Sequence, residues 1–256
     1  MRSCLETIKL SCTEKFNGGI PALLGSYLLE GVYFLPLLFL WRSFATAGVD
    51  LGGFTLVQLL SYTCVSACLS QQLNVKTLLS SWNYEGTFIN LCLRPRTIFA
   101  QLAAHTIGNW LPRLSLFTLP MAIILPLLGV NLLPASAWFP LCLLLSMSLG
   151  FAVDLLFSCF IIRMQRAQWC AYVIRSAIHT LLSGALIPFD LLPWGMGDML
   201  KLLPFGSLAG APLALFVGSG DPLPLIGLQI FWNLILWPPA ALVFRKTQET
   251  MVSYGG

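Results

Sequence analysis

Six long apolar runs constrain the fold of this chain more than any other feature of its sequence. Each run holds 20 or more residues with at most three ionisable side chains among them. They cover residues 20–41, 54–73, 99–130, 137–162, 171–192 and 224–244. A helix that crosses the hydrocarbon core of a bilayer needs about 20 mainly apolar residues. The sequence therefore predicts an all-α integral membrane protein with six transmembrane helices.

The composition supports lipid rather than water as the main solvent. Hydrophobic residues make up 57% of the chain and charged residues only 9%, whereas soluble domains carry about 25% charged residues. This excludes a cytosolic enzyme, and a net charge of +4 is too small to suggest a nucleic-acid partner. The eight cysteines include no CxxC pair, so we interpret them as reduced packing residues without a metal.

Basic residues predict the orientation of the helices, because cytoplasmic loops retain Lys and Arg. The segments before the first run, between the second and third, between the fourth and fifth, and after the sixth together hold ten of them. These are Arg2, Lys9, Lys15, Lys76, Arg94, Arg96, Arg163, Arg166, Arg245 and Lys246. The opposite side holds only Arg42 and Lys201. Both termini are therefore predicted to lie in the cytoplasm.

The segments outside the runs divide this single transmembrane domain further. Residues 1–19 contain an amphipathic helix over 3–16, which lies in the membrane interface, is an ordinary cytosolic helix or is a frayed terminus. The predicted order is then an interfacial helix, spans, a cytoplasmic loop, spans, an outer segment, the last span and a tail. The corresponding boundaries are 1–19, 20–73, 74–98, 99–192, 193–223, 224–244 and 245–256.

Two of these segments have an unusual composition. The cytoplasmic loop over 76–96 is too long for a simple helix connection, and its polar and aromatic centre either docks on a cytosolic partner or is a solvated loop. The outer segment includes the apolar stretch 202–217, which is only 16 residues long and contains Pro204 and Pro212. Such a stretch is too short and too broken to cross the membrane, and it predicts a re-entrant hairpin.

Ionisable residues inside the runs are costly and are candidates for function. They are Glu30, Arg113, Asp154, Arg175 and His179. Arg175 and His179 are four residues apart and therefore share a helix face, and Asp154 is able to pair with Arg113 or with Arg175. These residues either line a translocation cavity or form static pairs between helices.

Two motifs resemble those of permeases from type-2 ATP-binding-cassette exporters, in particular the six-span half-transporters. The run from Glu85-Gly86-Thr87 to Arg94-Pro95 is similar to the family's "G-T … L-L-R-P" signature. The run from Ser183-Gly184 through Pro188, Pro193, Pro204 and Pro212 to Gly218 resembles the family's later pattern of prolines and glycines. Arg96 departs from the neutral residue that is more frequent there.

This resemblance implies an N-terminal interfacial elbow helix, a coupling helix after the second span and a re-entrant hairpin before the sixth. It also implies the inner (plasma) membrane of a bacterium. The coupling residues would be Trp82, Asn83, Tyr84, Glu85 and Gly86. The chain lacks a G-x-x-x-x-G-K-[ST] phosphate loop, so ATP and Mg²⁺ would bind to two copies of a separate cytosolic ATPase subunit.

The sequence thus predicts a transport subunit and not an enzyme, with no cofactor or metal of its own. Its expected partners are the ATPase, a second permease that is identical or paralogous, and membrane lipid. The apolar interior fits an amphipathic or hydrophobic substrate such as a lipid, a drug or a peptide. The alternative is a stand-alone secondary carrier or a membrane assembly partner, for which inverted repeats would be expected.

Overall fold

The computed structural model describes residues 2–94, 96–127, 129–164 and 168–253, and every regular element within them is helical. Three stretches are long and apolar enough to cross a membrane: Ile98–Leu127, Phe139–Arg163 and Pro222–Glu249. They indicate a membrane-embedded, all-helical protein, as the apolar runs predict.

The helices follow one another with short connections. They are α1 (Arg2–Phe16), α2 (Ile20–Val32), α3 (Leu35–Thr46), α4 (Leu56–Cys68), α5 (Ser70–Leu73), α6 (Leu79–Tyr84), α7 (Phe88–Cys92), α8 (Ile98–Arg113), α9 (Leu119–Leu127), α10 (Phe139–Arg163), α11 (Gln168–Leu182), α12 (Met196–Leu202), α13 (Gly210–Val217) and α14 (Pro222–Ser253). A π-helical turn over Leu114–Thr118 joins α8 to α9, so these two helices form one continuous rod. A 3₁₀ turn over Phe189–Leu191 precedes α12.

The first apolar run is not one straight helix, because it divides into α2 and α3 at Tyr33 and Phe34. Pro36 explains the position of the break. A proline ring clashes with the carbonyl four residues earlier and removes one backbone donor, and the residue four before Pro36 is Val32, where α2 ends. The run over 171–192 is also shorter as a helix than its apolar length suggests, since α11 ends at Leu182.

Helix α10 is the centre of the bundle, and about half of its 25 residues are buried. It packs along α14 and also contacts α5, α6, α11 and α13. Helix α14 covers one side of α10 and turns apolar side chains such as Phe231 and Leu234 outward. Such outward apolar side chains are expected where a helix faces lipid.

The outer segment folds back into the bundle. Nearly all of α13 is buried, between α4 and α10. Just before α13, the Ser207 carbonyl accepts a hydrogen bond from Gln229 Nε2 at 2.8 Å, and the Leu208 carbonyl accepts one from Ser146 Oγ. Two carbonyls of this irregular stretch are therefore paired with side chains of α10 and α14.

In α12, Lys201 Nζ forms ion pairs with Asp190 Oδ1 at 2.5 Å and with Asp198 Oδ1 at 3.3 Å. Partial burial lowers the pKa of Lys201, but the hydrogen bonds and negative charges of the two carboxylates outweigh this effect and leave the pKa raised. The three side chains are partly exposed to solvent. We therefore regard this cluster as a surface feature of modest energetic value.

Helix α1 packs closely along α8, and Gly108 makes this close approach possible. A methyl group at Gly108 would lie 2.6 Å from the Ile8 carbonyl oxygen and 2.7 Å from Ser11 Cβ. Ser11 itself is buried and its Oγ lies 2.5 Å from His105 Nδ1 on α8. The N-terminal helix is therefore a docked part of the bundle and not a frayed end.

We predict that Gly108→Ala destabilises the chain by about 1–3 kcal/mol, because the added methyl group overlaps backbone atoms that have no rotamer to change. Thermal unfolding of the purified chain in detergent, followed by a thiol-reactive dye that reports buried Cys64, Cys142 and Cys159, measures this. The control is Gly25→Ala, where nothing lies within 4 Å of the new methyl group. Equal unfolding temperatures for the two variants would contradict the observed packing of α1 on α8.

Candidate functional site

The second predicted span is interrupted, and the interruption draws together most of the intramembrane polar residues. Helix α4 begins with a capping box between Thr55 and Gln58 and ends at Cys68. Its 13 residues rise only about 20 Å, less than the roughly 30 Å hydrocarbon core. Beyond it lie the single turn α5 and a non-helical stretch over 74–78. Residues 67–77, here called the interrupted segment, thus contain backbone groups without helical partners.

Side chains from the rod of α8 and α9 satisfy the first carbonyls of the interrupted segment. Arg113 donates from one guanidinium NH₂ to the Ala67 carbonyl at 2.9 Å, and Thr118 Oγ1 donates to the Cys68 carbonyl at 2.9 Å. The Arg113 side chain is buried and lies over the Tyr27 and Phe117 rings, at 5.7 and 5.1 Å from their centroids. Cation–π contacts of this kind offset part of the cost of burying a guanidinium.

Helix α11 supplies the partners for the next carbonyls. His179 Nε2 lies 3.1 Å from the Leu73 carbonyl oxygen, and an Arg175 NH₂ group donates to the Val75 carbonyl at 2.6 Å. Because a carbonyl oxygen only accepts hydrogen bonds, this contact requires the proton on Nε2 of His179. The four-residue spacing of Arg175 and His179 places both on the face of α11 that meets the interrupted segment.

Asp154 completes the set from α10. Its Oδ1 lies 2.6 Å from Arg175, and its Oδ2 accepts hydrogen bonds from the Thr77 backbone N–H at 2.7 Å and from Ser158 Oγ at 3.4 Å. Both charged side chains of the pair are almost fully buried. Additional hydrogen bonds offset part of the cost of burying this pair, since Arg175 also bonds to the Val75 carbonyl and Asp154 also bonds to Thr77 and Ser158. The pair links α10, α11 and the start of the following loop.

The structure therefore brings three predicted residues, Asp154, Arg175 and His179, to residues 73–77 and places Arg113 at the other end of the interrupted segment. Of the two partners that the sequence allows for Asp154, the structure selects Arg175. The side chain of Glu30 lies outside the described residues. In the observed contacts, these four side chains bond to the backbone of the interrupted segment.

The sequence did not reveal the acceptors, because backbone carbonyls are common to every residue. The available signal was the polar composition at the end of the second run. Ser70, Gln71, Gln72 and Asn74 follow α4 within a few residues, and side chains of this kind favour turns or line polar cavities rather than face lipid.

The predicted coupling residues form a compact turn at the end of α6, here called the loop tip (residues 82–86). The Gly86 N–H bonds to the Asn83 carbonyl and the Thr87 N–H to the Trp82 carbonyl. This pair of bonds defines a Schellman motif, which places a left-handed residue just after the helix. Gly86 has φ +68°, where a side chain would be strained. The conformation of this turn thus favours the glycine of the Gly-Thr pair in the motif.

The loop tip projects outward from a firmly packed base. Tyr84 is 78% exposed, and Glu85 and Gly86 are also exposed. By contrast, Leu79 and Phe88 on the two flanking helices are fully buried in a cluster with residues of α8, α10 and α14. Trp82 is partly buried, and its ring meets His105 edge-on with centroids 4.8 Å apart. Asn83 is half-buried.

Comparison of the chain with protein-family models and with curated proteins finds no match. The resemblance to exporter permeases therefore rests on the motif residues of the sequence alone. Gly86 and Thr87 lie in the Schellman turn described above, whereas Pro95 lies outside the described residues. Among the described side chains, no group of three His, Cys, Asp or Glu residues is arranged to hold a metal ion.

We predict that Asp154→Asn or Arg175→Gln alone destabilises the chain by about 3–5 kcal/mol, because each leaves the other buried charge without its partner. The loss of stability in the double variant should be about 1–3 kcal/mol smaller than the sum of the losses in the two single variants. Thermal unfolding of the four proteins in detergent gives the coupling energy.

The matched control is the exposed pair of Asp190 and Lys201, for which the corresponding substitutions should change stability by less than about 1 kcal/mol. Strictly additive effects at Asp154 and Arg175 would show that the ion pair does not contribute to the fold.

Proposed function

We propose that the chain is the permease subunit of an ATP-driven type-2 exporter that moves an amphipathic or hydrophobic substrate. In this proposal it is not itself an enzyme, and a separate cytosolic ATPase binds ATP and Mg²⁺. The observation that carries the proposal is the shape of the loop after the second span. It presents an exposed polar and aromatic tip on a base that is fully buried in the bundle.

Such a loop is suited to transmit force. A contact at Tyr84 or Glu85 would displace α6, whose Leu79 packs against α10. The chain then continues backward without slack into Thr77, which is bonded to Asp154 on α10, and into Val75, which is bonded to Arg175 on α11. Movement of an ATPase at the loop tip would therefore reach two membrane helices through buried hydrogen bonds. A slack, solvated loop would not couple movement of the ATPase to the membrane helices.

The proposed topology has six spans with both termini in the cytoplasm of a bacterium. Helices α2 and α3 would make the first crossing, and α4 with the interrupted segment the second. The rod of α8 and α9, then α10, α11 and α14 would make the others. Helix α1 would be the interfacial elbow, and α12 with α13 the outer re-entrant hairpin. The buried position of α13 and the close docking of α1 support these assignments.

One chain of six spans supplies only one wall of a pathway that opens alternately to two sides. We therefore propose a complex of two permeases, identical or paralogous, above two ATPase subunits. ATP binding would close the ATPase pair, and the two loop tips would carry this closure to the helix bundles. Surrounding lipid would be both the solvent and a source of amphipathic substrate.

A stand-alone secondary carrier is the second candidate, and one observation favours it. Carriers often place their binding site where a transmembrane helix is broken, and the interrupted segment is such a break. The two candidates differ in their energy source. Transport that requires ATP hydrolysis supports the exporter, whereas transport driven by an ion gradient without an ATPase supports the carrier.

We predict that Tyr84→Ala/Glu85→Ala lowers substrate-stimulated ATP hydrolysis of the assembled complex by at least about tenfold, because both exposed contacts with the ATPase are removed. The control is Leu5→Ala/Glu6→Ala, which removes an exposed apolar side chain and a neighbouring glutamate from α1. Hydrolysis is measured in proteoliposomes at matched protein content.

The folded state of each variant is verified by its thermal unfolding temperature, which should equal that of the unmodified chain because the substituted side chains are exposed. If the loop variant assembles with the ATPase and couples hydrolysis to substrate as well as the control does, the assignment of the loop tip as the coupling element is wrong.

A further inference from the structure

His105 lies where three parts of the chain meet, and the coupling path proposed above does not use it. It belongs to α8 and is buried. Its Nδ1 lies 2.5 Å from Ser11 Oγ on α1, and its ring meets the Trp82 ring edge-on, with centroids 4.8 Å apart and planes at 80°. One buried side chain therefore contacts both the N-terminal helix and the loop tip, which are far apart in the sequence.

The contact of His105 with α1 leaves little freedom on either side. Ser11 is 1% exposed, and its Oγ also donates to the Thr7 carbonyl of the same helix at 3.0 Å. Three residues after His105, Gly108 lets the backbone of α1 approach α8 closely, at the Ile8 carbonyl and Ser11 Cβ. A close-packed interior offers no space for independent side-chain movement. A displacement of α1 along α8 would therefore move Ser11 and with it the ring of His105.

The contact of His105 with the loop tip lies beside the backbone bonds that close the turn. Trp82 is in the last turn of α6, and its carbonyl accepts hydrogen bonds from the Thr87 N–H at 2.9 Å and from Thr87 Oγ1 at 3.3 Å. Aromatic pairs favour the edge-to-face arrangement seen here, so a displaced imidazole favours a matching displacement of the indole. Such a displacement would distort the bonds that hold Thr87 in the turn.

We propose that His105 is a positioning residue that transmits the position of α1 to the loop tip. The inference deepens the proposed function, on which its functional meaning rests, because it names α1 as an element that regulates the proposed contact with the ATPase. The link itself is a property of this chain alone. It is testable without ATP or an ATPase, so a failure of the link is distinguishable from a failure of the exporter proposal.

The test is hydrogen–deuterium exchange of the full chain in detergent, measured by mass spectrometry on peptides that cover residues 79–88. The amides of Glu85, Gly86 and Thr87 report on the turn, because all three donate to carbonyls of α6. We expect Ser11→Ala to increase their exchange rates at least about threefold, since loss of the buried hydrogen bond releases the ring of His105.

The matched control is Thr13→Val, which also removes a hydroxyl group from α1. Thr13 is exposed, and its Oγ1 bonds to the Lys9 and Leu10 carbonyls of the same helix. Because this hydroxyl does not contact His105, we expect the exchange of the loop-tip amides to stay within about twofold of the unmodified chain.

Two substitutions of His105 separate transmission from simple packing. His105→Phe keeps a ring against Trp82 but removes the nitrogen that contacts Ser11, whereas His105→Asn keeps a hydrogen-bonding group near Nδ1 but removes the ring. In either background the link is already broken, so adding Ser11→Ala should change loop-tip exchange by less than about 1.5-fold. If His105 only filled space, the effect of Ser11→Ala would persist in both backgrounds.

Exchange in the buried helix α13, which packs on α4 and α10, verifies that the effect is local. It should equal that of the unmodified chain in every variant. An increase of the same size in α13 and in the loop tip would show that Ser11 supports the whole fold instead. That result, equal exchange in Ser11→Ala and Thr13→Val, or an undiminished effect of Ser11→Ala in the two His105 backgrounds would overturn the inference.

Discussion

The hydrogen bonds that side chains make to the backbone of residues 67–77 are the interaction on which the rest of the structure depends. In a bilayer no water is available to satisfy peptide groups, so a helix that stops inside the membrane must find other partners. Arg113, Thr118, Arg175, His179 and Asp154 supply them from three different helical elements. The buried charges of Arg113, Arg175 and Asp154 therefore stabilise this irregular backbone. They also fix the relative positions of the helices that carry them.

The backbone just before α13 comes close to the interrupted segment at one point on α10. The middle of α10 has no side chain at Gly150, where a methyl group would lie 2.8 Å from Val75 Cγ2 and 3.8 Å from Leu208. Two stretches of irregular backbone, the interrupted segment and the residues just before α13, approach each other across this glycine. Asp154 and Arg175 bond to backbone groups of the interrupted segment, and Ser146 and Gln229 bond to the two carbonyls just before α13. Helix α10 therefore holds both irregular segments in place. The loop that follows the interrupted segment begins from this fixed position.

Much of this arrangement was predictable from the sequence, because apolar runs and the spacing of Arg175 and His179 report directly on helices and their faces. The all-helical class and the pairing open to Asp154 followed from such signals. The exact ends of helices did not, since Pro36 coincides with the break after Val32 whereas Pro112 and Pro238 lie inside helices. The acceptors for Arg113 and Arg175 could not be predicted, because any backbone carbonyl is chemically alike until the fold places one within reach. The contacts of His105 with Ser11 and Trp82 also join three separate parts of the chain, and no local pattern reports such an assembly.

The most direct test of the proposal that this chain is one half of an ATP-driven exporter is native mass spectrometry of the complex purified through a tag on the chain. We expect two six-span permease chains together with two cytosolic chains that carry a phosphate loop. A complex that transports substrate yet contains a single copy of this chain and no ATPase would contradict the exporter proposal.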